Sequence, residues 1–555
     1  MFKKSNRSAW VYAILVVMVT IPLCWRIFGS NIIDAHDSVA GLIRALCMNK
    51  YMGHGQFLVR WAPEINFGHG YPMFNFYPPF FYLVSVLFFQ LTHDMVLAIN
   101  LACSVFWILS GVGMFLLARE FWGNEGGMIS AVLYVYAPYH IADLYVRGAF
   151  AEFSSFAFFP FLLFSILQVS RKVSFGNVFL GVISAFGLSL THNIMSMLFF
   201  PVAMIFMFYL YFIEKKPATV LIGMGMLVIG LMMSSFFWLP ALLEKKFLNL
   251  DFLTSMIYDF HKNFISLQQL FWPFDSPNYD HITLQVGIVH TLLCLCAILI
   301  LPKIFKINRF SGFMSIFGIG LGLAAVFCAL SASTFLWEKI GMLSFIQFPW
   351  RFLTIIVFAT SLLGGSIALI IKDPKLKKIC LLFIGFLVMF VYPQISHQPR
   401  FVDTETTIDR FLAMGEGEYT PRWVHIPPEK TPEKKFELVQ GKGLLDEEKS
   451  LNFINYETKF QAIEPSLLCF HTFYFPGWRV YIDGQMTNPN VDNPFGLIAF
   501  FVPPGSHDIQ VIFGPTPVRI AGMVFSWIGT LLLIILFIFL KKNKKFNNSS
   551  IPNSP

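Results

Sequence analysis

Between Ile32 and Tyr82 the chain concentrates groups that could do chemistry. Asp34, His36 and Asp37 come first, then Arg44 and Arg60, with the glycine-flanked histidines of Gly53-His54-Gly55 and Gly68-His69-Gly70 among them. A carboxylate such as Asp37 can take a proton from a hydroxyl or orient a divalent ion, and glycine lets backbone approach a ligand closely. Three polar groupings follow much later: Arg147-Gly148 with Glu152, Thr191-His192-Asn193, and Gln347-Phe348-Pro349-Trp350-Arg351. The planar fork of arginine suits a phosphate, and so does a helix start. Arg147, His192 and Arg351, with Asn193 alongside, are therefore a candidate anion clamp, and Asp34 and Arg60 are candidate substrate-binding residues of the first stretch. Plain alternatives stand beside these readings. Asp34 and Asp37 as solvated interfacial carboxylates, Glu152 as a complement to a helix dipole, and His192 as a satisfied interface histidine are the simplest. Trp272, Trp350 and Trp423 suit an interfacial belt. No metal-binding spacing such as H-E-x-x-H and no phosphate-binding G-x-x-x-x-G-K-[ST] occurs. No metal site is assigned, and the one cofactor left open is a divalent cation at Asp37.

The elements that must position these groups are membrane spans. Of 555 residues, 56% are hydrophobic and 13% charged, and the mean hydropathy is +0.64. Soluble domains carry roughly 25% charged residues. Runs of about 20 apolar residues recur along most of the length, which defines a polytopic α-helical membrane protein. Twelve spans are expected, at 10–28, 97–118, 126–142, 149–169, 175–191, 193–213, 218–240, 283–301, 311–331, 349–371, 377–394 and 517–540. The net charge of +8 lies in short clusters between spans and at the ends. That pattern reports orientation and excludes a nucleic-acid partner. Lys3, Lys4 and Arg7 at one end and Lys541, Lys542, Lys544 and Lys545 at the other place both termini in the cytoplasm. Every polar grouping above then falls on the extracytoplasmic side. The run Phe76–Leu91, opened by Pro78-Pro79, is short of the ~30 Å hydrocarbon core and reads as re-entrant or interfacial. Residues 29–96 are then one large outer loop. The eight cysteines show no C-x-x-C pair; only a Cys47–Cys469 bridge stays open.

From 396 to 514 charged residues and prolines become common and alternation suggests strands. Asp483-Gly484 after Trp478–Ile482 is a hairpin signal, and Leu497–Val502 with His507–Phe513 across Pro503-Pro504-Gly505 suggests another pair. The expected organisation is a transmembrane domain over 1–395, a small extracytoplasmic β-sandwich over 396–514, a final helix and basic end over 515–545, and a disordered tail over 546–555.

The motifs His36-Asp37, Trp61-Ala-Pro63, Gly68-His-Gly70-Tyr-Pro72-Met-Phe-Asn-Phe-Tyr77-Pro78, Arg147-Gly148 with Glu152, Thr191-His192-Asn193 and Gln347-Phe-Pro-Trp-Arg351 resemble bacterial membrane proteins labelled "6-pyruvoyl-tetrahydropterin synthase-related". The stretch Phe475–Gly484 and Pro503–Phe513 resembles YfhO-like membrane proteins. Together these resemble the GT-C superfamily. That resemblance implies a GT-C-like fold and an integral glycosyltransferase of the bacterial inner membrane. It would move a sugar from a polyprenyl-phosphate donor to a lipid, glycan or cell-envelope acceptor on the outer face. It implies Asp37, beside His36, as base or acceptor-orienting acid, Glu152 as a second catalytic acid, and Arg147, His192 and Arg351 as holders of the lipid phosphate. One position departs from the family pattern: the histidine that follows the aspartate by four residues is Gly41 here. Two other classes compete, a transporter or flippase of lipid-linked glycans, and a non-catalytic envelope scaffold. Polar residues in mid-span would mark the transporter, and dispensable first-loop acids the scaffold.

Overall fold

The computed structural model describes residues 6–25, 32–33, 35–249, 258–271, 282, 284–391 and 417–542. Asp34, Trp272 and the 546–555 tail lie outside the described residues. The apolar runs fold as helices α1 (Asn6–Trp25), α2 (Ser38–Gly53), α3 (Phe80–Thr92), α4 (Met95–Val135), α5 (Pro138–Tyr145), α6 (Phe150–Arg171), α7 (Phe175–Thr191), α8 (Asn193–Glu214), α9 (Pro217–Met233), α10 (Ser235–Leu243), α11 (Ile288–Leu299), α12 (Arg309–Ala329), α13 (Leu353–Gly364), α14 (Pro374–Val391) and α15 (Pro517–Lys542).

Helix α4 is two helices back to back. Trp107 Nε1 donates to the Val135 carbonyl at 3.0 Å, although 28 residues of straight helix would separate them by about 42 Å. The reversal sits at Gly123, whose φ of 78° and ψ of −178° suit a residue without a Cβ. The run expected to cross at 126–142 stops at Tyr136. Pro138 forces Ala137 out of the α region, to a ψ of 136°, and starts α5 on a new axis. Among the described residues six helices are long and apolar enough to cross a membrane, or up to eight if the bent pairs Pro217–Met233 with Ser235–Leu243 (75°) and Ile288–Leu299 with Leu301–Ile307 (61°) each make one span. Each of the twelve apolar runs contains helix, and two of them share the doubled-back α4. Helix α3 has 13 residues, about 20 Å of rise, less than the hydrocarbon thickness.

Before α15 stand nine strands, β1 (Phe436–Gln440), β2 (Gly443–Leu445), β3 (Lys449–Ser450), β4 (Asn455–Ala462), β5 (Ser466–Phe473), β6 (Trp478–Ile482), β7 (Gln485–Thr487), β8 (Leu497–Val502) and β9 (Gly505–Phe513). They form two sheets, ordered β1-β5-β8 and β2-β4-β9-β6-β7, with β3 beside β4. The Asp-Gly hairpin is present: Ile482 pairs with Gln485, and Asp483 and Gly484 both take positive φ, 50° and 77°, as a type I′ turn demands. The second expected pair is not a hairpin. β8 pairs with β5, whereas β9 pairs with β4 and β6 in the other sheet. Pro503 and Pro504 lack two ladder donors and pass the chain between sheets.

Two apolar cores fill the helical part. The third lies between the sheets and takes in Trp61, Phe76 and Leu248 from the helical part as well as Phe470, Trp478 and Phe513. Trp61 is fully buried, with its ring 5.5 Å from Trp478 and 5.4 Å from Phe513. The β-domain is thus built around a first-loop tryptophan. All eight cysteines are free, including Cys47 and Cys469.

Candidate active site

The first loop is pinned to the turn after α5 by backbone alone. The His36 amide donates to the Val146 carbonyl at 3.2 Å, and the Asp37 amide to the Arg147 carbonyl at 2.8 Å. Gly148 makes this approach possible: at φ +64°, a Cβ there would stand 2.7 Å from Ser38 N. Asp37 occupies the N-cap position of α2, yet its side chain makes no capping hydrogen bond, and it is exposed. Its carboxylate is therefore not spent on the helix start, where such residues usually are. Gly41 explains itself too. A Cβ there would meet the Phe150 ring at 2.5 Å, so a histidine would displace α6.

Opposite stands a buried charged cluster. Tyr139 donates to Glu152 Oε1 at 2.6 Å. Arg147 Nη1 lies 2.9 Å and Arg351 Nε 3.2 Å from Glu152 Oε2. Arg147 also pairs with Asp143, one helical turn earlier, and donates to Tyr139 Oη at 3.2 Å. Arg351 Nη1 donates to the Ile346 carbonyl at 2.7 Å and to Gln347 Oε1 at 3.0 Å. The two guanidinium groups are braced by aromatic faces, Arg147 over Trp350 at 4.7 Å and Arg351 over Phe348 at 4.9 Å. His192 links α7 to α8, and its Nδ1 accepts the Met195 amide at 3.3 Å. This assigns a proton to Nε2. Asn193 Nδ2 donates to the Phe76 carbonyl at 3.1 Å.

These groups border one cavity of about 620 Å³. His36, Asp37, Arg147, Glu152, His192, Asn193 and Arg351 all line it. So do Arg44, whose guanidinium lies 3.8 Å over the Tyr77 ring, and Lys245, Tyr258, Glu418 and Tyr419. Arg60 does not. It lines a second, largely apolar cavity of about 440 Å³, and its fork is engaged by Asn75 Oδ1 at 3.0 Å and the Phe236 carbonyl at 2.6 Å. The expected glycine approach to a ligand is also redirected. The space above Gly70 is filled by the Trp61 ring, 2.5 Å from where a Cβ would be. His69 stacks on Phe473 at 5.6 Å, its carbonyl accepts the Phe473 amide at 2.8 Å, and burial lowers its pKa to about 4. The Gly68-His69-Gly70 turn is a mount for the β-domain.

Several residues of the buried cluster and of the cavity wall lack a motif. Asp143 follows from the i,i+4 spacing to Arg147, a signal that was available. Tyr139, Lys245, Glu418 and Tyr419 come together only in three dimensions. Among the described residues no group of three or more His, Cys, Asp or Glu stands ready to hold a metal ion; Asp37 and His36 are the pair a cation at this cavity would meet.

A profile of the membrane-protein family described as "6-pyruvoyl-tetrahydropterin synthase related domain" matches residues 74–398. The chain belongs to that family. This agrees with the motif resemblance and makes it a membrane protein. Within the matched residues lie Arg147, Glu152, His192 and Arg351, while Asp37 precedes them. A protein of Lactococcus lactis subsp. cremoris (strain MG1363) described as "Uncharacterized protein" is 23% identical over 256 residues, 44% of this chain and 41% of that one. The match therefore spans less than half of that relative. Among solved structures, ArnT from Cupriavidus metallidurans bound to undecaprenyl phosphate is 13% identical, with 73% of this chain and 76% of that one covered and a TM-score of 0.41. Arabinofuranosyltransferase AftD from Mycobacteria is 15% identical, with 71% and 27% covered and a TM-score of 0.41. The Archaeoglobus fulgidus oligosaccharyltransferase AglB with an inhibitory peptide and a dolichol-phosphate is 11% identical, with 75% and 57% covered and a TM-score of 0.40. Likeness at that level carries no argument about the site of this family member.

Proposed function

We propose that this protein is an integral membrane glycosyltransferase of the GT-C type, moving a sugar from a polyprenyl-phosphate donor to a lipid, glycan or envelope acceptor on the outer face of the bacterial cytoplasmic membrane. The supporting observation is the single cavity that sets the uncapped carboxylate of Asp37 among the cations Arg44, Arg147, Lys245 and Arg351 and the Nε2–H of His192. Cationic ends at both termini favour a cytoplasmic placement of each, which supports an outward-facing cavity.

The lipid tail of such a donor stays in the bilayer, so its phosphate must be met at the interface by fixed positive groups. Arg147 and Arg351 offer such groups, held in place by Glu152 and by the faces of Trp350 and Phe348. Glu152 is thereby the counter-ion that orients the two guanidinium groups, a positioning role in place of an acid–base one. Asp37 accepts the proton of the acceptor hydroxyl as its oxygen bonds to the anomeric carbon. The bond from that carbon to the phosphate oxygen breaks, and its electron pair leaves with the polyprenyl phosphate. The extra negative charge develops where the cations stand. Attack from the face opposite the leaving phosphate inverts the anomeric centre.

The test is the full-length protein in liposomes with polyprenyl phosphates carrying glucose, galactose or N-acetylglucosamine, plus an envelope lipid extract as acceptor pool. Protein-dependent release of polyprenyl phosphate is the expected result. No release with any donor, together with movement of lipid-linked glycan between leaflets, would establish the transporter instead.

A further inference from the structure

A strap of chain, Gly417 to Val424, leads toward the β-domain and puts Glu418 and Tyr419 in the wall of the cavity. It is tied from both sides. Leu248 bridges to Pro421, the Asn249 amide donates to the Thr420 carbonyl at 3.0 Å, and the Arg422 amide to the Phe247 carbonyl at 2.9 Å. On the first-loop side the Tyr419 amide donates to Tyr71 Oη at 2.6 Å, and the Tyr419 ring stacks on Phe76 at 5.6 Å. In the cavity wall Tyr258 donates to Glu418 Oε1 at 2.6 Å, and the Tyr258 ring lies 5.9 Å from Phe348, the ring beneath Arg351. Behind the strap, Phe76 and Leu248 belong to the β-domain core. Glu418 is thus held at a set place on the cavity wall by a domain that is itself anchored through Trp61.

We infer that Glu418, presented by this strap with Tyr419 and Tyr258, recognises the acceptor, and that the acceptor group it takes is a polyhydroxyl one, a sugar or polyol. This deepens the glycosyl-transfer reading and rests on it. A further carboxylate in this cavity, beyond Asp37 and the arginine-paired Glu152, is ill-suited to the donor's phosphate, which it repels. Its fitting partners are hydroxyl hydrogens, and Tyr419 adds an aromatic face for a ring to lie on. The direction of approach selects the acceptor over the donor sugar. The strap leads into the β-domain, whereas the residues assigned to the phosphate sit in the α5–α6 turn and just before α13 of the helical domain. The β-domain would then read the acceptor through the chain that precedes it, with no need for a glycan cleft of its own.

The test uses the full-length protein in liposomes, a polyprenyl phosphate carrying a radiolabelled sugar, and the envelope extract as acceptor pool. The label is followed both into extractable glycan or lipid and into free sugar, the product of transfer to water. For Glu418→Gln, and independently for the milder Tyr258→Phe, the ratio of transferred to free sugar should fall on the order of tenfold, the effect of losing a charge-assisted hydrogen bond. A wild-type ratio in both variants would overturn the inference, whether total turnover is unchanged or has fallen as a strap with only a structural role would make it. A donor KM that rises at constant ratio would also overturn it and assign Glu418 to the donor sugar. An inactive wild type would instead remove the glycosyl-transfer reading, and the inference with it.

Discussion

Among the described residues two arginine–glutamate networks are buried, built from the same parts and placed differently. Glu152 and Glu244 are each 1% exposed. Glu152 holds Arg147 and Arg351. Glu244 holds Arg519 through Nε at 3.1 Å and Nη2 at 3.0 Å, and also receives Asn75 Nδ2 at 2.8 Å and the Thr516 hydroxyl. The remaining donors of Arg519 go to backbone, the Pro476 carbonyl at 2.8 Å and the Gly514 carbonyl at 3.3 Å. That second network fastens the end of α10 to the start of α15 and, through Asn75 and Arg60, to the first loop. The first network borders a void large enough for a sugar phosphate; the second closes on the protein's own carbonyls. A buried ion pair is weak evidence for function by its chemistry, and what separates these two is the space that their cations face.

The largest effect that would sharpen this contrast is on stability. Arg519→Ala leaves Glu244 buried without its main cation, a loss of about 3–5 kcal/mol, read as a large fall in the Tm of the solubilised protein. Replacing both partners, as Glu244→Gln with Arg519→Met, should cost less than Arg519→Ala alone. A Tm unchanged in Arg519→Ala would deny that this network holds the domains together. A smaller effect, and of another kind, belongs to Arg351→Lys. The charge remains and the fork is lost, so the donor KM should rise on the order of tenfold, about 1.4 kcal/mol, with little change in Tm. A large Tm fall without a KM change would make the first network structural, like the second.

The smallest effect is at an exposed pair. His507 Nδ1, on β9, meets Asp483 Oδ2 of the β6–β7 turn at 2.6 Å. The hydrogen bond from His507 holds the Asp483 carboxyl below its ordinary 3.8, and the bond to Asp483 holds the His507 imidazole above its ordinary 6.5. The histidine's contribution is complete below about 6.5 and lost as pH rises through its raised value. The aspartate's is present above about 3.8 and lost as pH falls through its lowered one. The Tm difference between wild type and His507→Gln should therefore be widest between these limits and vanish in alkali; a difference constant with pH would exclude this pair as its source.

How much of this was legible in the sequence follows from which forces act locally. Apolar runs, the Asp483-Gly484 turn and the polar motifs at span ends are short-range signals, and the helices, the I′ hairpin and seven of the cavity's residues follow them. The seven meet because each sits at or within one turn of a helix end, in the connections α1–α2, α5–α6, α7–α8 and the lead into α13. Arg60 shares a loop with Asp37 and lines the other cavity, because loop neighbours can face different voids. The spacing from Arg147 singles out Glu152, but its partners lie up to 199 positions away. Glu418 gave no motif at all, since only the strap's ties to Leu248, Tyr71 and Tyr258 bring it to the cavity. Locally the two prolines before Gly505 suggest a turn, yet they act as a passage between sheets, because strand partners are chosen by long-range packing.

The most direct test of the central claim is transfer by Asp37→Asn in the liposome assay, with its Tm measured on the same preparation. Since the Asp37 side chain caps nothing, the Tm should match wild type, while transfer falls by about 10²–10⁴, the usual reach of a positioned general base. Wild-type transfer by a well-folded Asp37→Asn protein would contradict the account.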